Sequence, residues 1–226
     1  MKIVTVYLLA VLFVYCSTGL SGCASPKTVM PVSILHDQID ESHSVRTGII
    51  LVRPFADGRK ESQRLYIGET AEPSNIVPII LIPLPSGRYL VERNGVSVAL
   101  VLTSYFADVL RGVGYKVLMS TYASGSPPEI TPISPNAILE GEIKEFWFTP
   151  SWTTKHLICV QLRLRDKQGN DLLWEKEIRV EHSEVIGLWS SAAFENMIKK
   201  SITQALREAA REFISDEFSR KVCEDN

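Results

Sequence analysis

Apolar and polar positions change their spacing several times along the chain, and each change predicts an element. An almost unbroken apolar run at 3–15 opens the sequence, and a polar, aperiodic stretch with Pro26, Pro31 and HDQIDESHS follows to about Thr47. GIILVRPF at 48–55 is short, β-branched and apolar through Ile49 to Val52, which predicts a buried strand, with turn chemistry at Asp57-Gly58 after it. Residues 61–93 stand apart as an insertion. There Ile76, Val77, Ile79, Ile80, Leu81, Ile82 and Leu84 are punctuated by Pro78, Pro83 and Pro85, and prolines withhold the ladder donors a central strand needs. An edge hairpin or a large ordered loop, turning at Ser86-Gly87, is expected. Helical spacing of Val98, Val101, Leu102, Tyr105, Phe106 and Val109 then predicts a helix to about Arg111, capped by Asn94 or Ser97 and stopped by Gly112 and Gly114.

The second half is more regular. YKVLMS at 115–120 reads as a strand, followed by a Pro-rich loop and by AILEGEIKEFWF, a strand in which Gly141 marks a bulge. HLICVQLRLRD places Ile158, Val160, Leu162 and Leu164 on one face and Gln161, Arg163 and Arg165 on the other. DLLWEKEIRVEH alternates again, with Leu172, Trp174, Ile178 and Val180 inward, so Arg163 and Arg165 are expected to face Glu175 and Glu177 across an antiparallel hairpin. One long amphipathic helix is predicted over 190–220, its stripe built from Phe194, Ile198, Ile202, Ala205, Ala209 and Phe213. Strands of this kind between two amphipathic helices predict an α+β fold in two layers: a mixed, mostly antiparallel sheet with both helices on one face.

The opening run changes how the rest is read. Residues 3–15 form an apolar stretch of 13 residues, short of the roughly 20 needed to span a bilayer, and Lys2 supplies a minimal basic flank. Leu20, Ser21, Gly22 and Cys23 follow, and this order resembles the cleavage box of bacterial lipoproteins at every position. Small side chains let extended backbone enter a peptidase, and the Cys23 thiol is the nucleophile that takes up a diacylglyceryl group. The rival reading is an uncleaved helix, or an ordinary secretory signal with an incidental cysteine. On the lipidation reading, 1–22 is a signal peptide and 23–47 a flexible tether with a typical span of roughly 25 Å. Residues 48–222 are then a single periplasmic domain carrying the 61–93 insertion. Ala24 in place of an aspartate implies, by enterobacterial sorting, transfer to the outer membrane, with the domain facing the periplasm.

Charge and chemistry narrow the function classes. Losing Lys2 with the signal takes the formal charge from −2 to −3, which argues against nucleic acid as a partner and against a polybasic membrane patch. Processing also leaves Cys159 and Cys223. An exported chain can pair them, but the polar terminal KVCEDN argues for a small strand residue and a loose tail thiol instead. No phosphate-binding glycine loop, dinucleotide fingerprint or nucleophile elbow occurs. His36 and His43 fall in the tether, while His156 and His182 fall at strand ends as solvated polar residues. None has zinc-ligand spacing, so no metal, cofactor or catalytic residue is assigned. Asp57 and Arg59 form an ion pair or a simple turn. The 76–84 stretch is either a flap over the core or an exposed patch, and FWFTPSW at 146–152 either fills a sheet end or meets a partner.

ILVRPFADGRK, VSVALVLTSYFADVLRGVGYKV, AILEGEIKEF and VQLRLRDKQGNDLLWEKEI, together with the lipobox and a terminal helix, resemble the YajG-type group of small Gram-negative lipoproteins. More distantly, the layout is similar to the periplasmic domains of LpoB-like penicillin-binding-protein activators and curli-secretion-like lipoproteins. The resemblance spans about 48–218 and implies a domain that binds partners rather than one that catalyses. It transfers no functional residue except Cys23. The expectation is therefore a non-enzymatic outer-membrane lipoprotein, held to the membrane by lipid on Cys23, whose domain binds another envelope component. The alternative is a carrier of a small amphiphile such as a lipid, held between helix and sheet.

Overall fold

The computed structural model describes residues 28–31, 34, 36–37, 46–64, 66–69, 87–90, 97–120, 134–149, 153–185 and 191–223. Its first half supplies short elements: β1 (Thr28–Pro31), β2 (Ile49–Val52), β3 (Ala56–Asp57), α1 (Glu61–Arg64), β4 (Tyr66–Glu69), β5 (Gly87–Leu90), α2 (Val98–Gly112) and β6 (Lys116–Met119). Its second half supplies long ones: β7 (Ala137–Thr149), β8 (Thr154–Asp166), β9 (Leu172–Glu184), α3 (Ser191–Ile214) and α4 (Asp216–Cys223). The fold is α+β, as the periodicity predicts.

All nine strands share one mixed sheet organised by β7. One edge of β7 pairs antiparallel with β8 along almost its whole length, and β8 pairs in the same way with β9. The other edge is shared end to end by three short strands, all parallel to it. These are β2 at Ala137 to Leu139, β3 at Glu142 and Ile143, and β4 at Phe148. Beyond β2 lies β6, also parallel; beyond β4 lie antiparallel β5 and then β1. The longest ladders are thus antiparallel, while the N-terminal strands join β7 in parallel. β4 and β5 pair antiparallel in the insertion, but β1 covers β5, so the pair is not an edge hairpin, and Gly87 opens β5 instead of forming the expected turn; the Ile76 to Leu84 stretch lies outside the described residues.

Local chemistry accounts for the ends of the elements. The Ser97 hydroxyl caps α2 by accepting from the Leu100 N–H at 3.2 Å. At the other end Gly114 takes φ 103°, and the Tyr115 and Gly114 amides donate to the Leu110 and Arg111 carbonyls, a Schellman closure that needs a residue able to adopt positive φ. Gly141 does not mark a bulge. The β7–β8 register runs through it unbroken and shifts instead between Ile143 and Glu145. A Cβ at Gly141 would lie 2.5 Å from the Phe55 ring, so glycine is there for close packing.

The predicted terminal helix is two helices. At Ser215 the hydroxyl donates to the Glu212 carbonyl at 2.6 Å and accepts from the Phe218 N–H at 3.2 Å, ending α3 and capping α4. The break turns Phe218 onto Phe213, Trp174 and Tyr115, with ring centroids 5.0, 5.0 and 5.8 Å away.

Helices α2 and α3 pack on one face of the sheet, and between the layers Phe106, Phe146, Phe148, Phe194 and Phe213 are fully buried. The opposite face of the long strands carries charges. Arg163 bonds Glu175 at 2.7 Å as expected, but that antiparallel register leaves Glu177 out of Arg165's reach, and Arg165 bonds Glu140 on β7 instead, at 2.8 Å. Glu177 faces Gln161 and pairs with Lys144. A register shift between Leu164 and Arg165 sets Leu172 opposite Arg165 and leaves it, expected inward, 49% exposed.

Candidate functional site

Cys23, expected from the sequence to carry the lipid, lies outside the described residues. Downstream of it, part of the stretch expected to be a free tether belongs to the domain. β1 adds a strand to β5 by backbone pairing, Thr28 opposite Gly87 through Pro31 opposite Leu90. Ile34 enters the core, and its carbonyl accepts from the Tyr105 hydroxyl at 2.8 Å. The His36 ring meets Tyr105 edge-on at 4.2 Å, the Asp37 N–H donates to Thr203 Oγ1 at 2.9 Å, and Lys199 pairs with the Asp37 carboxylate. Burial and then the neighbouring Asp108 push the Tyr105 phenol up. Arg46 continues the attachment. Its amide donates to the Gly114 carbonyl at 3.0 Å, and its guanidinium to the Ile214 carbonyl at 3.0 Å and to Ser219 Oγ. Ile34, His36 and Asp37 therefore form a strap across α2 and α3.

Beside the strap lies a groove of about 380 Å³ lined by Asp37, His182, Lys200, Thr203, Gln204, Arg207, Glu208 and Arg211. Its walls carry both signs of charge, and much of that charge is engaged internally. Lys200 donates to both Glu184 oxygens, at 3.1 and 2.8 Å, and this hydrogen bond holds the Glu184 carboxyl below its usual range. Gln204 Nε2 donates to Glu208 at 3.3 Å. An open, mixed-charge groove of this kind suits polar contacts with a partner better than enclosure of an apolar ligand.

His156 sits opposite His182 in the β8–β9 ladder. The sequence places it at a wet strand end, but the structure buries it completely, because β8 begins earlier, at Thr154. Its ring packs edge-on against Phe146 at 4.8 Å and tilts against Phe148 at 6.3 Å, and neither ring nitrogen has a hydrogen-bond partner among the described residues. Burial, with a smaller contribution from His182, lowers its pKa from 6.5 to about 3, so the imidazole is neutral at pH 7. No metal-ligand spacing picks out this histidine, but strand alternation through Ile158, Val160, Leu162 and Leu164 puts position 156 on the inward face, and the signal was lost by ending the strand there.

Asp57 and Arg59 prove to be a buried staple rather than a simple turn. Arg59 is 2% exposed and meets Asp57 through two bonds, at 2.7 and 2.9 Å. Its remaining donors reach the carbonyls of Tyr66, Arg64 and Phe146 at 3.2 to 3.3 Å. Burial pushes the Asp57 carboxyl up, but the bonds and charge of Arg59 outweigh it and hold the group below the usual carboxylate range. A single side chain thus ties β3, α1 and β4 to the C-terminal half of β7.

The remaining candidates separate cleanly. Cys159 and Cys223 are free. Cys159 is buried, which pushes its thiol up, with Glu177 and Glu145 adding to the effect, while Cys223 Sγ donates to the Thr47 carbonyl at 3.3 Å. Of the aromatic stretch, Phe146 and Phe148 fill the core, Trp147 is half-buried on the charged face, and Trp152 lies outside the described residues. Among the described residues no group of three or more His, Cys, Asp or Glu could hold a metal ion, and no helix is long and apolar enough to cross a membrane.

No protein-family model matches the chain, and no curated protein matches it. Among solved structures, protein XCC0632 from Xanthomonas campestris, of the DUF330 family, is similar in fold. The TM-score is 0.53 at 9% identity, covering 83% of this chain and 95% of that one. The PelC dodecamer from Paraburkholderia phytofirmans aligns at a TM-score of 0.37 and 12% identity, over 74% of this chain and 92% of that one. Lipoprotein GNA1162 from Neisseria meningitidis aligns at 0.34 and 13%, over 72% and 99%. Only the first is close enough to argue a shared fold.

Proposed function

We propose that the protein is a non-catalytic lipoprotein of the bacterial envelope, anchored by lipid on Cys23, whose periplasmic α+β domain binds another envelope component. One observation carries the reading: an apolar run of 13 residues followed by Leu20, Ser21, Gly22 and Cys23, which is too short to span a bilayer and is built for cleavage and acylation. Ala24 directs the chain to the outer membrane under enterobacterial sorting. The resemblance to the YajG-type group supports partner binding over catalysis. So does the open groove beside the strap, whose Arg207 and Arg211 lie exposed. The amphiphile-carrier alternative gains nothing from that groove, because charged and polar groups line it.

Cys23→Ala abolishes membrane retention and removes the lipid mass increment from the intact protein. A variant retained in full refutes the anchor. Crosslinking in intact envelopes, followed by affinity capture, yields a reproducible partner, and Arg207→Glu combined with Arg211→Glu weakens its recovery. Repeated capture without a partner refutes the binding role.

A further inference from the structure

Among the described residues four strands pair on one side only: β1, β3, β6 and β9. The first three are two to four residues long, and shortness is one way a sheet edge is kept from recruiting other chains. β9 is 13 residues long and contains neither glycine nor proline. β8 takes one of its edges, and no described residue pairs with the other. That edge is open to solvent. Glu175, Glu177, Arg179, Glu181 and Ser183 are exposed on the charged face, and Lys176, which belongs to the helix-bearing face, is 45% exposed.

The unpaired N–H and C=O groups of such an edge accept another strand, and the side chains decide which one. Two copies of β9 related by a two-fold axis run antiparallel, and residues directly opposite point to the same face. With a residue on the axis, inward residues face inward residues, and both helix layers stay on one side of a continuous sheet.

Charge then selects the register. An axis through Glu175, Glu177 or Glu181 sets that carboxylate against its own copy, and an axis through Arg179 does the same to the guanidinium. An axis through Lys176 sets Glu175 against Glu177, and one through Ile178 sets Glu175 against Glu181. Of the axes through 175–181, only the one through Val180 puts no like charges opposite. There Arg179 faces Glu181, Lys176 faces Glu184, Glu177 faces Ser183 and Ile178 faces His182, each pair occurring twice by symmetry. Lys176 is the side chain that argues against any contact, because an inward-pointing charge on an edge strand discourages pairing. In this register it meets a carboxylate instead. Within one copy Lys176 pairs with Glu212 at 2.8 Å, and Lys200 with Glu184 at 2.8 Å. The contact therefore completes an alternating row that runs from Glu212 and Lys176 to Glu184 and Lys200 of the second copy.

We infer that β9 is a self-association edge. Two copies of the chain join antiparallel through residues 176–184, with Val180 on the two-fold axis, and their sheets become one. The occupant is a second copy because the charges of this stretch complement their own reversal. The inference goes beyond the binding of another envelope component and does not rest on the Cys23 anchor.

The test is sedimentation of the full-length, processed chain in density-matched detergent at low salt. The wild type is expected to be a dimer. Arg179→Glu and Glu181→Arg each set like charges opposite one another twice, and each should raise the dimer dissociation constant by about tenfold or more. Mixed in equal amounts, the two variants carry opposite charges at the facing positions, so the mixture should regain the dimer that neither forms alone. Both side chains are exposed, and thermal melts check that the variants fold. A wild type that stays monomeric overturns the inference, and this is the result expected if the edge serves a strand of another protein. Variants that dimerise like the wild type, or a mixture that stays monomeric, overturn it as well. The wild-type dimer should also weaken in high salt. A dimer indifferent to salt overturns the charge-selected register without recourse to any variant.

Discussion

Arg59 and His156 both bury a polar group against Phe146, one at its backbone carbonyl and the other at its ring, yet the surroundings of the two are opposite. Arg59 spends its donors on a carboxylate and three carbonyls. His156 has no partner among the described residues. The difference follows from acid–base chemistry. A guanidinium cannot give up its proton, so it survives burial only when paired, while an imidazole escapes the cost of a buried charge by staying neutral. Burial therefore makes Arg59 a structural tie and leaves His156 as a pH-dependent weakness in the same part of the core.

The largest test of this contrast is Arg59→Met. It strands the Asp57 carboxylate and releases three carbonyls, and denaturant unfolding should show a loss of about 3–5 kcal/mol. A loss under about 1 kcal/mol would break the comparison. Next comes pH. The folded pKa of His156, about 3, lies below the ordinary 6.5, so the unfolded chain takes up a proton first as pH falls. Stability is fully present above pH 6.5 and declines toward pH 3 by up to a few kcal/mol, at about 1.4 kcal/mol per pH unit. Asp57, held low, adds a further loss as pH falls through its folded pKa. His156→Leu should flatten the first decline while leaving stability at pH 7 unchanged or higher, since it removes an unbonded polar group. Urea midpoints measured across pH decide the matter, and an unaltered slope in that variant would clear His156 as its source.

Gly141→Ala supplies a control without charge. Its methyl group meets the Phe55 ring, and a cost of about 1–3 kcal/mol is expected in thermal unfolding. The smallest effect sharpens the contrast from the other side. Arg163 bonds Glu175 as Arg59 bonds Asp57, but on an exposed face, so Arg163→Ala should cost below about 1 kcal/mol in the same melts.

Legibility varied along the chain. Alternation at 156–182 specifies the β8–β9 hairpin and its inward residues because a strand's faces repeat every two residues. It cannot foresee which register the pair takes, which puts Glu177 opposite Gln161 and leaves Arg165 to Glu140, nor the shift between Leu164 and Arg165 that exposes Leu172. Helical spacing specifies both α2 and the apolar stripe of α3. The break at Ser215 was hidden because Phe218 falls roughly where the stripe continues, and only a hydroxyl–carbonyl bond shows the turn. The Asp57–Arg59 pair was visible as a possibility, its burial was not, and the strap through Ile34, His36 and Asp37 was hidden by the polar composition around it.

By itself, the sequence determined the types of the longer elements and the two-layer α+β class, and it carries the pattern on which anchoring at Cys23 is proposed. All of these are local patterns written within a few residues or a few turns. The tertiary structure alone decided which strands share an edge of β7 and which polar side chains lose water. The physical reason is range. Periodicity records which face of a segment avoids water, whereas pairing Gly68 with Phe148 or Thr28 with Gly87 is chosen by competition among distant segments for the same hydrogen-bonding edge.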